Sequence, residues 1–302
     1  MEKTYIVMAK QVPDTKKITG KAMKEDGTVN RAALPAIFNP DDMAALEMAL
    51  RLKDQYGGKV VVLTMGPPSA VEILRQSLYR GVDKCVLLTD RKFAGSDTLA
   101  TSMVLSYAIR KMGGYSLIIS GRQAIDGDTA QVGPQVAEKL GIPQITYVED
   151  IVKMDKNTIE VKRIIENGFA TQSTPMPALL TCCATSTSFV RPCSAKRIQV
   201  YKNATTPSEL MMCLMKDGLS KEEAAMQTAK RLESNGASQP IEEWDISKID
   251  LDESLCGLGG SPTWVKQIES VVLGTTEHKR VPATDAGISE LISELITEHI
   301  FD

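Results

Sequence analysis

The chain has 302 residues, 43% hydrophobic and only 5% aromatic, with 35 Lys and Arg against 38 Asp and Glu. A formal net charge of -3, with no dense run of Lys and Arg, leaves no basic footprint for nucleic acid or an anionic membrane. The length suffices for one sizeable core with appendages.

The first apolar run, Tyr5 to Ala9, is too short for a signal-peptide core or a bilayer span, so a cytoplasmic protein without membrane insertion is expected. It reads as a strand, with Lys10, Val12, Pro13 and Asp14 in the loop beyond it. Further strands are expected at Lys59 to Met65, Lys84 to Thr89, Tyr115 to Ser120 and Gln144 to Ile151. Between them Asp41 to Tyr56 places Met43, Leu46, Ala49 and Leu50 on one helical face. Ser96 or Asp97 can cap a second helix carrying Leu99, Ala100, Met103, Val104 and Ala108. This alternation is the signature of a doubly wound, mainly parallel α/β sheet.

The doubly wound pattern ends near Glu149. Beyond it Thr158 to Ile164 and Ala178 to Cys183 read as further strands, open to an antiparallel placement. Residues 204–240 carry two short helical patterns and read as a helical insertion. The stripe Ile288, Leu291, Ile292 and Leu295 marks a C-terminal helix that needs a surface, its own or a partner's. The expected division is a nucleotide-binding α/β domain at 1–203, the insertion at 204–240, and a C-terminal arm and helix at 241–302.

Six cysteines lack paired two-residue zinc spacing, and only two histidines could assist them, so inert thiols and no metal site are expected. No Walker loop, nucleophile elbow or complete dinucleotide fingerprint is present.

In a doubly wound sheet ligands sit beyond the carboxyl ends of the strands, which singles out Lys10 to Asp14, Met65 to Ser69 and Gly121 to Gly133. The run from Gly121 to Pro134 follows a strand and opens a helix, where unpaired N–H groups and close backbone approach suit a phosphate. A plain strand-to-helix turn would read the same way. Asp126 and Asp128 would repel an anion unless turned aside; Asp128 is assigned to capping and Asp126 left open. Asn39 before Pro40, Asp41 and Asp42 either offers an amide to a ligand or only caps a helix.

Taken together, Lys10 to Asp14, Asn39 to Asp41, Gly66 to Pro68, Phe93 to Ser102, Gly121 to Pro134 and the Gly-Ser-Pro-Thr at Gly260 to Thr263 resemble the beta subunit of electron transfer flavoproteins. The resemblance implies a Rossmann-like fold of the adenine nucleotide alpha hydrolase-like kind with a C-terminal extension. It also implies a heterodimer with an alpha subunit that serves an acyl-CoA dehydrogenase. Ordinary members hold AMP in the beta chain. The electron-bifurcating branch, which Ile125 to Pro134 is similar to, holds FAD there, takes electrons from NADH and passes them to ferredoxin or flavodoxin and to the dehydrogenase. Carried across by position, the family's ligand contacts fall on Met8, Ala9, Asn39, Pro40, Asp41, Asp42, Met65 and Gly66. They continue through Gly121, Arg122, Gln123, Ala124, Ile125, Asp126, Gly127, Asp128, Thr129, Ala130, Gln131 and Val132. No catalytic side chain is implied, because the cofactor carries the redox chemistry. Thr185 to Ala195 and residues 204–240 depart from the family pattern. A stand-alone adenine-nucleotide sensor is the competing reading.

Overall fold

A computed structural model describes residues 3–14, 34–186, 189–234, 240–263 and 280–297. In chain order they form β1 (Thr4–Met8), β2 (Gln11–Pro13), β3 (Ala36–Phe38), α1 (Pro40–Tyr56), β4 (Lys59–Met65), α2 (Val71–Arg80), β5 (Lys84–Leu88), α3 (Thr98–Met112) and β6 (Leu117–Gly121). Then follow α4 (Val132–Leu140), β7 (Gln144–Met154), β8 (Thr158–Ile165), β9 (Gly168–Pro175), β10 (Ala178–Cys182), α5 (Ala195–Tyr201), α6 (Pro207–Lys216), α7 (Lys221–Ser234), β11 (Ile241–Trp244) and α8 (Asp285–Thr297).

Strands buried on both faces read as unbroken apolar runs, and β1, β5, β6 and β10 do so. Side chains alternate between two core layers with the period of two that a strand imposes. Tyr5, Val7, Val62, Leu87, Ile119 and Leu180 meet α1 and α2 on one side. Ile6, Leu63, Val86, Ile118 and Leu179 meet α3 and α4 on the other. The sheet is therefore covered on both faces, as expected.

Nine strands pair in the order β11-β5-β4-β1-β6-β10-β7-β8-β9, and only β8 runs against its neighbours. The chain leaves β1 toward β4 and β5, then returns to add β6 on the opposite flank of β1. The strand order thus reverses between β1 and β6, where a doubly wound sheet opens a ligand crevice.

Two expectations need correction. Ala178 to Cys182 is not antiparallel: the β8–β9 hairpin restores the chain direction, and β10 inserts between β6 and β7, parallel to both. The parallel pattern also does not end near Glu149, since β10 lies inside the sheet between β6 and β7 and β11 pairs parallel with β5 at its edge. β9 went unforeseen because all but one or two of its side chains face solvent, leaving no apolar alternation to read.

The helical segment after residue 204 is fastened to the core. Arg75 on α2 donates to both carboxylate oxygens of Glu209 at 2.8 and 2.9 Å and to the Ala204 carbonyl at 3.1 Å. Thr205 adds a 2.6 Å bond to Glu209, so this buried carboxylate is well satisfied. On α8, Ile288, Ile292 and Ile296 are exposed. All six cysteines are free thiols.

Candidate functional site

The crevice is assembled at the end of β1. The short β2–β3 ribbon pairs Gln11 with Phe38, and the Asn39 amide donates to the Lys10 carbonyl at 3.0 Å, which delivers the start of α1 to the switch point. Pro40 opens α1, where the missing N–H costs nothing. Asn39 is fully buried but makes no side-chain cap to its helix. Its Nδ2 instead donates to the Gln123 carbonyl at 2.8 Å, and its Oδ1 accepts from the Ile125 amide at 3.2 Å. The residue that read as either a cap or a ligand group is a tie between α1 and the turn after β6.

That turn is held in an unusual shape. Asp128 and Ala130 both have positive φ, 49° and 52°. Side chains other than glycine avoid this region, and residues kept there cluster at ligand sites. The shape is secured by the Asp128 amide donating to the Ala124 carbonyl at 2.9 Å and by Gln123 Nε2 donating to Asp128 Oδ1 at 2.8 Å. Asp128 therefore does not cap α4; Gln131 occupies the cap position without a side-chain cap bond. Asp126 is turned toward Lys10, whose Nζ donates to both carboxylate oxygens at 2.8 and 2.7 Å. Asp126 is thus ion-paired, and Asp128 is exposed with one oxygen held by the neutral Gln123 amide.

The turn keeps open donors. The amides of Thr129, Ala130, Gln131, Val132 and Gly133 find no acceptor among the described residues, and they lead into a helix start with its partial positive charge. A Cβ added at Gly127 would meet open space. Around the same carboxyl ends, buried polar atoms lack hydrogen-bond partners among the described residues: Thr64 Oγ1 on β4, Ser120 Oγ on β6 and Gln135 Oε1 on α4. Such atoms are costly unless something satisfies them. An adenine nucleotide with its ribose hydroxyls and phosphate oxygens has the matching chemistry, so the residues present fit the cofactor that the resemblance implies.

The other implied contacts fall around this centre. Met8 and Ala9 are buried at the end of β1, Met65 is half-buried, and the Gly66 amide is tied to the Leu88 carbonyl at 3.0 Å. Asp41 accepts the Ala184 amide at 2.8 Å, and its second oxygen lies 3.6 Å from Arg122 Nε. Arg122 also stands over the Tyr147 ring, 5.6 Å from its centre. Tyr147 has a φ of 58°, an outlier that no sequence pattern announced. Asp42 has both oxygens occupied, by the amides of Lys10 at 2.8 Å and Gly121 at 2.9 Å. Burial nonetheless pushes its carboxyl up to about 7, against the pull of these bonds and one from Asn39.

A further wall was missed as a site element. Asp97 caps α3 through the Ala100 amide at 3.0 Å, and its other oxygen accepts from the Thr263 hydroxyl at 2.6 Å and amide at 3.1 Å. The Asp97 amide in turn donates to Ser261 Oγ at 2.8 Å. This seats the 257–263 segment on the loop after β5. Thr98 joins that loop to the turn through Gln131 at 3.0 Å. Burial works against ionised Asp97, but the Thr263 and Ala100 bonds outweigh it and hold the carboxyl below its ordinary value. The stabilisation is present above the unfolded aspartate range and lost as pH falls through the lowered value. Asp97→Ala is expected to cost about 1 kcal/mol through the lost cap, and to loosen 257–263, read as faster amide exchange there.

The described residues contain no cluster of metal-ligating side chains, and no described helix is long and apolar enough to cross a membrane.

Comparison with known proteins shows the family. The electron transfer flavoprotein domain matches residues 26–206. The electron transfer flavoprotein subunit beta of Clostridium acetobutylicum is 39% identical over 97% of this chain and 98% of its own. The caffeyl-CoA reductase-Etf complex subunit CarD of Acetobacterium woodii is 38% identical over 98% of both chains. Protein FixA of Bradyrhizobium diazoefficiens is 41% identical over 87% of this chain and 81% of its own. With a domain match over more than half its length and relatives similar from end to end, the chain belongs to the electron transfer flavoprotein beta subunit family.

Proposed function

We propose that this beta subunit holds FAD at the β1/β6 crevice. With an alpha subunit it would carry electrons between NADH, ferredoxin or flavodoxin, and an acyl-CoA dehydrogenase, as an electron-bifurcating flavoprotein. The observation that carries the reading is the strained turn at Asp128 and Ala130 after β6, which leads into a row of amides without acceptors among the described residues. Similarity along the whole chain to a subunit of a caffeyl-CoA reductase-Etf complex supports the bifurcating assignment.

Bound FAD supplies the hydride acceptance and single-electron steps; the protein supplies binding, orientation and electrostatics. The open amides from Thr129 to Gly133 grip the diphosphate, and Asn39 keeps the turn in place. The Thr64 and Ser120 hydroxyls, buried and without hydrogen-bond partners among the described residues, would serve ribose or adenine. Lys10 pairs with Asp126, which lessens the repulsion this turn would offer the anion.

A structural AMP in the same crevice is the second reading, because the adenosine and first phosphate would use the same groups. The co-purified heterodimer is expected to release two FAD and to be reduced by NADH. One FAD with one AMP, and no reduction by NADH, would establish the second reading.

A further inference from the structure

Asp42 is 6% exposed, and its carboxylate spans the switch point. Oδ2 accepts the amide of Lys10, just past β1, and Oδ1 accepts the amide of Gly121, the last residue of β6. These two strands are neighbours in the sheet with Met8 opposite Ser120, so one carboxylate closes the gap where the ladder ends. With each oxygen taken by backbone, Asp42 acts through Lys10 and Gly121 and not on a ligand directly. Gly121 can approach so closely only because it has no side chain: a Cβ there would fall 2.5 Å from Asp42 Oδ1.

We infer that Asp42 is a positioning residue whose ionised carboxylate holds the β1 and β6 ends at the spacing the nucleotide needs, making affinity at this crevice depend on pH. The inference rests on the nucleotide reading given above.

The groups facing Asp42 are donors, namely the two amides and the Asn39 side chain. A proton on the carboxyl would displace one of them and open one side of the clamp. Burial, chiefly, brings that proton within reach of neutral pH, with the Asp41 charge adding to it. The other charges nearby are committed elsewhere. Lys10 Nζ is paired with Asp126, Asp41 Oδ1 with the Ala184 amide, and the Arg122 guanidinium lies toward Asp41 and Tyr147. The Cys182 thiol, on β10, is pushed up by burial and stays neutral. Because the folded value is raised, fold stability is greatest below the unfolded aspartate range and declines as pH rises to about 7, while the clamp tightens.

The test uses the full chain, titrated with FAD from about pH 6 to about pH 8, a range in which the internal diphosphate does not titrate. Amide hydrogen exchange at Lys10 and Gly121 is followed in parallel, corrected for intrinsic rates. Affinity is expected to rise about tenfold with pH, the scale of one buried hydrogen bond regained, and protection of both amides to rise with it. In Asp42→Asn affinity should be lower and flat with pH, because the amide group offers one acceptor where two are needed. An affinity or amide protection in the unchanged chain that ignores pH overturns the inference, as does an Asp42→Asn profile that copies the original. If Asp42→Asn does not fold, the two profiles of the unchanged chain decide alone. No FAD binding at any pH, with amide protection still following pH, would strike down the FAD reading and the coupling to FAD while upholding the clamp.

Discussion

Gly121→Ala is expected to destabilise the fold by about 3 kcal/mol and to empty the crevice of nucleotide. The added Cβ would fall 2.5 Å from Asp42 Oδ1, 2.6 Å from Asp41 Cβ and 2.7 Å from the Asp42 amide. Two of these are carboxylate or backbone atoms at the first turn of a buried helix, so no flexible side-chain end can yield. Relief requires α1 to draw back from β6, which breaks the Asp42 to Gly121 bond and moves Asn39 away from the turn it secures. The measurement is a denaturant midpoint together with the nucleotide released from the purified protein. Unchanged stability with full nucleotide content would contradict this account of the packing at the switch point.

Asn39→Ala should weaken both ligand binding and the fold. The substitution removes both bonds to the turn and leaves the Gln123 carbonyl and the Ile125 amide without partners. Each loss is worth about 1 kcal/mol or somewhat more, so FAD affinity should fall about thirtyfold. The turn would no longer be held to positive φ at Asp128 and Ala130, and these would relax toward ordinary backbone. Asn39→Asp keeps an acceptor for Ile125 but cannot donate to Gln123, and it should fall between the two. FAD titration beside a thermal melt reads both effects, and affinity and stability are both expected to fall.

The two substitutions probe one arrangement. The first turns of α1 carry Asn39, Asp41, Asp42 and Glu47, and each spends its side chain on a different loop. Asn39 holds the turn after β6, Asp42 the ends of β1 and β6, and Asp41 the amide of Ala184. Glu47 pairs with Arg191, accepting from its amide and its guanidinium at 2.9 to 3.1 Å. The segment after β10 is therefore pinned to the same helix that shapes the crevice. Coulombic attraction alone would make the partly exposed Arg191 pair a modest contributor, but its bonds also fix backbone.

The strand runs and helical stripes were legible because burial on both faces leaves a local mark. Lys59–Met65 is all but unbroken in apolar residues, and Ser96 and Asp97 precede a helix in a spacing that marks a cap, which the structure assigns to Asp97. The phosphate-like turn was legible for the same reason: glycines, a Pro and a strand-to-helix change lie within a few residues of one another. The family resemblance rested on such local runs.

Pairing across the chain left no such mark. Whether β10 lay beside β6, whether β11 joined the sheet, and whether Asp128 capped α4 or bound Gln123 depended on strand order and backbone φ. Neither is written in composition or period. Asn39 meets Gln123 across 84 residues and Asp97 meets Thr263 across 166, contacts that exist only once the sheet has brought distant loops to one edge. The amino-acid sequence by itself determined the layers, the helix starts and the turn able to face an anion. The tertiary structure decided which carboxylates were spent on backbone and which amides stayed open, because hydrogen bonds over such separations are set by topology and not by neighbours in the chain.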